Sequence, residues 1–205
     1  MCLTRMETVE DSSESGNFFP LEEPQLSNNT GQSYEQLYSF LSLPLLTITE
    51  MAESLASLLS RIVKEHTGVT PPKSYFNSKT IPSISIRDYL IRALKSRCSL
   101  ESLIIAIIYM DRYIEAVMHF PLCEYNVHKL FIVALSTAVK FNDDFMIDHV
   151  SFAKVGALNL SEFAEMEKSF LNTLKFNLRV DTAQFATYVR KLTAKTDLEG
   201  SRSQA

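Results

Sequence analysis

Glycine, proline and cysteine are all scarce in this chain, at 5, 7 and 3 of 205 residues. So few helix breakers, set against long apolar runs of helical length, point to an all-α protein. Cys2, Cys98 and Cys123 are odd in number and show no CxxC spacing, which excludes a disulfide framework and a zinc site as readings and suits a reducing, intracellular compartment. The first residues carry no apolar signal-peptide core, and the longest apolar run, residues 103–110, stops at Asp111, well short of the ~18 residues a membrane span requires. A protein without a membrane segment, cytoplasmic or nuclear, is the expectation. Also missing are a Gly-rich phosphate loop and a spaced pair of catalytic carboxylates. His66, His119, His128 and His149 are scattered, so neither an enzyme nor a cofactor is expected.

What is present is unevenly distributed. Residues 1–43 hold one Arg against seven Asp and Glu, a net −6, whereas residues 84–194 hold 13 Lys and Arg against 12 acids, a net +1. The acidic segment is rich in Ser, Asn and Glu, so it reads as a mostly disordered tail over 1–43. Phe18-Phe19-Pro20-Leu21 is its exception, readable as a short docking segment or as an incidental aromatic pair. The compact domain is expected over 44–194, with a second polar tail at 195–205.

Within that domain the apolar spacing marks a series of helices. Leu45, Ile48, Met51, Leu55, Leu59 and Ile62 recur with helical period from Pro44 on, Thr49 followed by Glu50 or Glu53 supplies acid near the start, and the helix ends before Gly68. A Pro-containing connector follows, with Thr70-Pro71-Pro72-Lys73 in the Thr-Pro-x-Lys form that proline-directed kinases phosphorylate. Ile86, Tyr89, Leu90 and Ala93 mark the next helix, and Ser99 caps the one after, which stops before Pro121. Asp148 to Ala157 forms a short helix closed by Gly156 or Asn159; Asn159 or Ser161 opens another, with Phe163, Met166, Phe170, Leu171 and Leu174 as its stripe. Residues 176–180 alternate like an extended linker, before a last helix capped by Asp181 or Thr182 and carrying Phe185, Tyr188, Val189 and Leu192.

One stretch organises the rest. Residues 130–135 are all apolar, Ala134, Ser136, Thr137 and Ala138 are small, and the helix shows no broad polar face until Lys140. A helix apolar all round must be surrounded by other helices. Lys140 then sits where the helix emerges, at the end of its dipole that favours a cation.

Five core helices with one more on each side, the third of the five buried, resemble the cyclin box, at about residues 84–180. The motifs resemble in particular the phosphate-pathway cyclins, called P-type or U-type in plants. They are Ile84-Ser85-Ile86-Arg87-Asp88-Tyr89-Leu90, Ile108-Tyr109-Met110-Asp111-Arg112-Tyr113, Asn126-Val127-His128-Lys129-Leu130, Ala138-Val139-Lys140-Phe141-Asn142-Asp143-Asp144, Phe152-Ala153-Lys154-Val155-Gly156, and Glu165-Met166-Glu167 with Phe170-Leu171. Each is weak alone; six in register are specific.

The resemblance implies a regulatory subunit that binds and activates a cyclin-dependent protein kinase, in cell-cycle or nutrient-signalling control. It implies that Lys140 and Glu167 hydrogen-bond the kinase backbone around the mobile helix of its upper lobe, with Phe141, Leu171 and Leu178 flanking that contact. Asp144 matches an acidic position of the phosphate-pathway type and is expected to pair with a kinase Arg, and Asp143 is expected to face the same side. In cell-cycle cyclins the residue matching Asp111 pairs with an Arg that is Ser83 here, so Arg87 or Arg92 is the expected partner. Their apolar substrate-docking patch corresponds to Pro82, Ser85, Ile86 and Tyr89, a departure that argues against that docking mode. Two alternatives remain: a cyclin-fold scaffold acting without a kinase, and a nucleic-acid-associated factor of the transcription-factor IIB kind. The near-neutral core and acidic tail supply little of the basic surface that nucleic acid requires.

Overall fold

Thr47 begins the described part of the chain: its hydroxyl accepts from the Glu50 N–H while the Glu50 carboxylate accepts from the Thr47 N–H. This reciprocal capping box opens α1 (Ile48–Glu65), and Leu45, the first residue of the expected series, lies outside the described residues. The computed structural model describes residues 47–200 except 97, 119 and 145–147, with side chains to Thr193. The expected tail at 1–43 and its Phe18-Phe19-Pro20-Leu21 segment lie outside the described residues, as do residues 201–205.

Six further helices follow. In α2 (Ile86–Leu94) and α3 (Leu100–Ala116) the hydroxyls of Ser85 and Ser99 accept from the N–H groups of Asp88 and Ser102. In α5 (His149–Gly156), α6 (Leu160–Thr173) and α7 (Thr182–Gly200) the caps are Asp148, Asn159 and Asp181. Each cap satisfies an N–H that the first turn leaves without an intrahelical partner. The exception is α4 (Val127–Asn142), where Asn126 makes no cap bond. Its amide, fully buried, holds the preceding loop by accepting from the Cys123 N–H and donating to the Pro121 carbonyl, both at 2.9 Å.

Two expectations about helix ends change. α5 is closed by Ala157, left-handed at φ 55°, not by Gly156 or Asn159. Gly156 is helical, and a Cβ there would lie 3.0 Å from Leu158 Cδ1, so close packing accounts for the glycine. After α6 the chain turns through Lys175 and Phe176, both left-handed at φ 51° and 56°, so only 177–180 form a non-helical linker and the alternation from residue 176 is not a strand. Helical backbone also continues past residue 194, as far as Gly200.

As expected from its lack of a polar face, α4 is enclosed. Residues 130–135 are wholly buried, as are Ala138 and Val139. Its main neighbour is α3, buried from Ser102 to Asp111, with α2, α5 and α6 packed around the remaining sides. α1 lies against α2, α3 and α7, and α7 also contacts α3. A single apolar cluster runs through the whole bundle, from Met51 to Leu192. Among the described residues every regular element is a helix, and none is long and apolar enough to cross a membrane.

Candidate functional site

Where α4 emerges from the core, its last turn meets the middle of α6. Lys140 Nζ lies 2.5 Å from Glu167 Oε1. Ser136, one turn earlier on α4, donates to the same oxygen at 3.4 Å, and His149, the first residue of α5, places Nε2 2.6 Å from Glu167 Oε2. Three helices thus converge on one carboxylate whose residue is 8% exposed. A buried carboxylate without partners would be strongly unfavourable, and Lys140 together with Ser136 meets that demand. Lys140 itself is about three-quarters buried, with Nζ 5.9 Å from the centre of the Phe163 ring.

The bonding capacity of this cluster is not exhausted. An ammonium carries three donors, of which Lys140 spends one on Glu167, and a carboxylate offers about four lone-pair sites, of which three are engaged. Each can therefore still bond an incoming backbone group. Phe141, next to Lys140 in the sequence, is 56% exposed, and Val150, next to His149, is 42% exposed. Leu171 is half-buried one turn after Glu167. Leu178 is held against α3: its carbonyl accepts from the Tyr109 hydroxyl at 2.6 Å, while Arg112 donates to the carbonyls of Asn177 and Arg179, both at 2.8 Å, and to Gln184. That clamp fixes the linker without regular secondary structure.

Asp143 and Asp144 part company. Asp144 is exposed. Asp143 does not face the same side; it turns back to the start of α3, accepting from the Ser99 N–H at 3.1 Å and from the hydroxyls of Ser99 and Ser102 at 2.6 and 2.7 Å. An acid that opposes the dipole of its own helix is thereby placed at the favourable end of another. Burial pushes the neighbouring Cys98 thiol up to about 11, with the Asp143 charge adding to the effect.

Asp111 also departs from expectation. The Tyr188 hydroxyl of α7 donates to Asp111 Oδ2 at 2.5 Å, whereas Arg87 pairs with Glu53 and Arg92 lies over the Tyr89 ring, 4.7 Å from its centre. His128 ties the first turn of α4 to the segment before α2, with Nε2 3.1 Å from the Ile84 carbonyl and its ring edge-on to Tyr89. Burial lowers its pKa, opposed by that hydrogen bond and assisted by the Arg92 charge. Beside it, Pro82, Ser85 and Ile86 line an open pocket of about 280 Å³ with Val63, Lys64 and Thr67. Tyr89, the fourth of the substrate-patch positions, is buried instead.

The cyclin family model matches residues 35–178, more than half the chain. The chain belongs to the cyclin family. Among its relatives, Cyclin-P4-1 of Oryza sativa subsp. japonica is 35% identical over 144 residues, covering 65% of this chain and 68% of the relative. Cyclin-U4-2 of Arabidopsis thaliana is 37% identical over 135 residues, covering 65% and 61%. PHO85 cyclin-like protein psl1 of Schizosaccharomyces pombe is 30% identical over 159 residues, covering 75% and 65%. The resemblance to the phosphate-pathway, P and U types therefore extends beyond the motifs to most of the domain. In this cyclin the residues that sequence reasoning missed at the site are Ser136 and His149. Neither has a signal in its own neighbourhood; both matter because the fold delivers them to Glu167 from α4 and α5. Among the described residues no group of three His, Cys, Asp or Glu is placed to hold a metal ion.

Proposed function

We propose that this cyclin is the regulatory subunit of a cyclin-dependent protein kinase, acting in cell-cycle or nutrient-signalling control, and that it docks through the face built on Lys140 and Glu167. The observation that carries the reading is the meeting of these two residues, 27 positions apart in sequence, at one partly exposed point with bonding capacity to spare. Polar anchors set in apolar surface suit partner docking, and Phe141, Leu171 and Leu178 supply apolar area on α4, α6 and the following linker. The mechanism is conformational. Binding favours the kinase arrangement in which its mobile helix delivers the Glu that pairs the nucleotide-binding Lys, and the differential affinity for that arrangement is the whole contribution. Asp144, exposed beyond Lys140, is assigned to a kinase Arg, where its charge stands in for part of an activation-loop phosphate.

Lys140→Ala and Glu167→Ala test the face. Losing one charge-assisted hydrogen bond, about 1.5–3 kcal/mol, weakens kinase binding about 10- to 150-fold. Circular dichroism and thermal unfolding establish that the variants remain folded. Equal affinity in folded variants refutes the assigned face. Recovery of the protein from cells in complexes lacking any kinase favours the scaffold reading, and salt-dependent DNA binding favours the nucleic-acid reading.

A further inference from the structure

The loop from α1 to α2 carries chemistry that kinase docking does not use. Thr70-Pro71 is the only Ser-Pro or Thr-Pro pair in the sequence, since the other six prolines follow Phe19, Glu23, Leu43, Pro71, Ile81 and Phe120. Lys73 stands three residues after the threonine. The local structure suits an enzyme that must seize this hydroxyl. Thr70 is exposed, and among the described residues no hydrogen bond engages it. The last backbone bond before it runs from the Val69 N–H to His66, and the next joins Asn77 to Ser74. Across 70–73 only the Pro72 carbonyl is held, by the Asn77 side-chain amide at 2.7 Å.

The two feet of the loop are nonetheless fixed. His66 Nδ1 lies 3.1 Å from the Leu122 carbonyl. Phe76 is fully buried, edge-on to Tyr113 at 5.1 Å, and the Ser78 N–H donates to the Tyr125 carbonyl at 2.8 Å. Between these anchors residues 69–73 form a bow that is exposed except at the half-buried Pro71. A proline biases the residue before it to extended backbone and has no N–H left unsatisfied in an enzyme's cleft. Thr80 and Ser83, exposed in the same connector, are followed by isoleucine rather than proline, and exposed hydroxyls in or at the start of helices are presented differently. Ser60 lies within α1, Thr187 donates to the Ala183 carbonyl within α7, and Ser85 is a helix cap. Each would require helix to open first.

We propose that Thr70 is a phosphoacceptor for a proline-directed Ser/Thr kinase. In the step, Thr70 Oγ1 forms a bond to the γ-phosphorus of Mg²⁺-bound ATP as the β–γ bridging bond breaks. The hydroxyl proton passes to the kinase's general base and ADP leaves. The product places about −1.5 to −2 of charge on this exposed loop, three positions before Lys73 in the sequence. Assigning the reaction to the chain's own kinase rests on the proposed function; the existence of the acceptor site does not.

The test has two arms. In the first, the folded full chain and a peptide of residues 66–77 are offered to a proline-directed kinase already activated by its own subunit, with Mg²⁺ and ATP. Peptide mapping should find phosphate on Thr70, lost in Thr70→Ala and strongly reduced in Pro71→Ala. Because docking breaks one net hydrogen bond, the folded chain should react within about tenfold of the peptide rate. A folded chain left unmodified at Thr70 while the peptide reacts overturns the proposal, as does phosphate placed elsewhere in both. The second arm uses the complex of this cyclin with its own kinase, plus an unrelated substrate peptide. Phosphate on that peptide but not on Thr70 refutes the attribution to the chain's own kinase. Phosphate on neither refutes the proposed function, and the first arm still decides the site.

Discussion

Replacing Asp143 should cost this cyclin stability without touching the face proposed for the kinase. Its carboxylate accepts three hydrogen bonds at the start of α3, two of them from Ser99. A bond to a charged acceptor is worth about 1.5–3 kcal/mol net, but the three share one carboxylate and water can reach the half-buried site, so the sum does not apply. Ser99 also keeps its own cap to the Ser102 N–H. The Ser102 hydroxyl, wholly buried, must turn to a carbonyl in the preceding turn. About 2–4 kcal/mol is a reasonable loss for Asp143→Ala. At 2–4 °C per kcal/mol for a domain of this size, that lowers Tm by about 4–16 °C. Asp143→Asn retains one acceptor oxygen and should lose about half as much. Urea unfolding followed by circular dichroism should show a lower midpoint at unchanged slope. A midpoint equal to the parent's would refute the capping role, and lost kinase affinity at full stability would return Asp143 to the docking face.

Two further outcomes are expected. Burial holds the His128 imidazole below its ordinary 6.5, so as pH falls through that value the unfolded chain takes up the proton first and stability drops; His128→Gln should flatten the loss of urea midpoint below about pH 6.5, and an unchanged slope would assign it to other groups. Arg112→Lys keeps the charge but not the fork that grips the carbonyls of Asn177 and Arg179. Hydrogen exchange at 177–180 should quicken at least tenfold, on the order of one lost hydrogen bond, while protection equal to the parent's would show that Tyr109 alone holds the linker.

Local chemistry explains which of these features could be read in advance. α4 announced itself because residues 130–135 leave no side for water, and the caps at Ser99 and Asn159 are short-range events written within four residues. The Thr47 cap is of the same short range, with Glu50 three residues on. Asp143, Asp111 and His149 were not legible. Their partners lie 44, 77 and 18 residues away, and adjacent sequence contains no trace of them. The expected Arg partners of Asp111 were reasonable in charge but are drawn off by Glu53 and by the Tyr89 ring. Of the docking face, Lys140 at the end of its helix was visible, whereas its pairing with Glu167 depended on how α6 crosses α4.

The contact between α1 and α7 bears on how the molecule is made. Residues 48–65 leave the ribosome long before 182–193, yet the two segments share one apolar cluster. Until the later segment emerges, the apolar face of α1 lacks part of its cover, and the nascent chain displays a greasy stripe that a chaperone can hold. Completion of the bundle then waits on the last helix, and translation speed over the final third of the domain sets how long that stripe stays exposed.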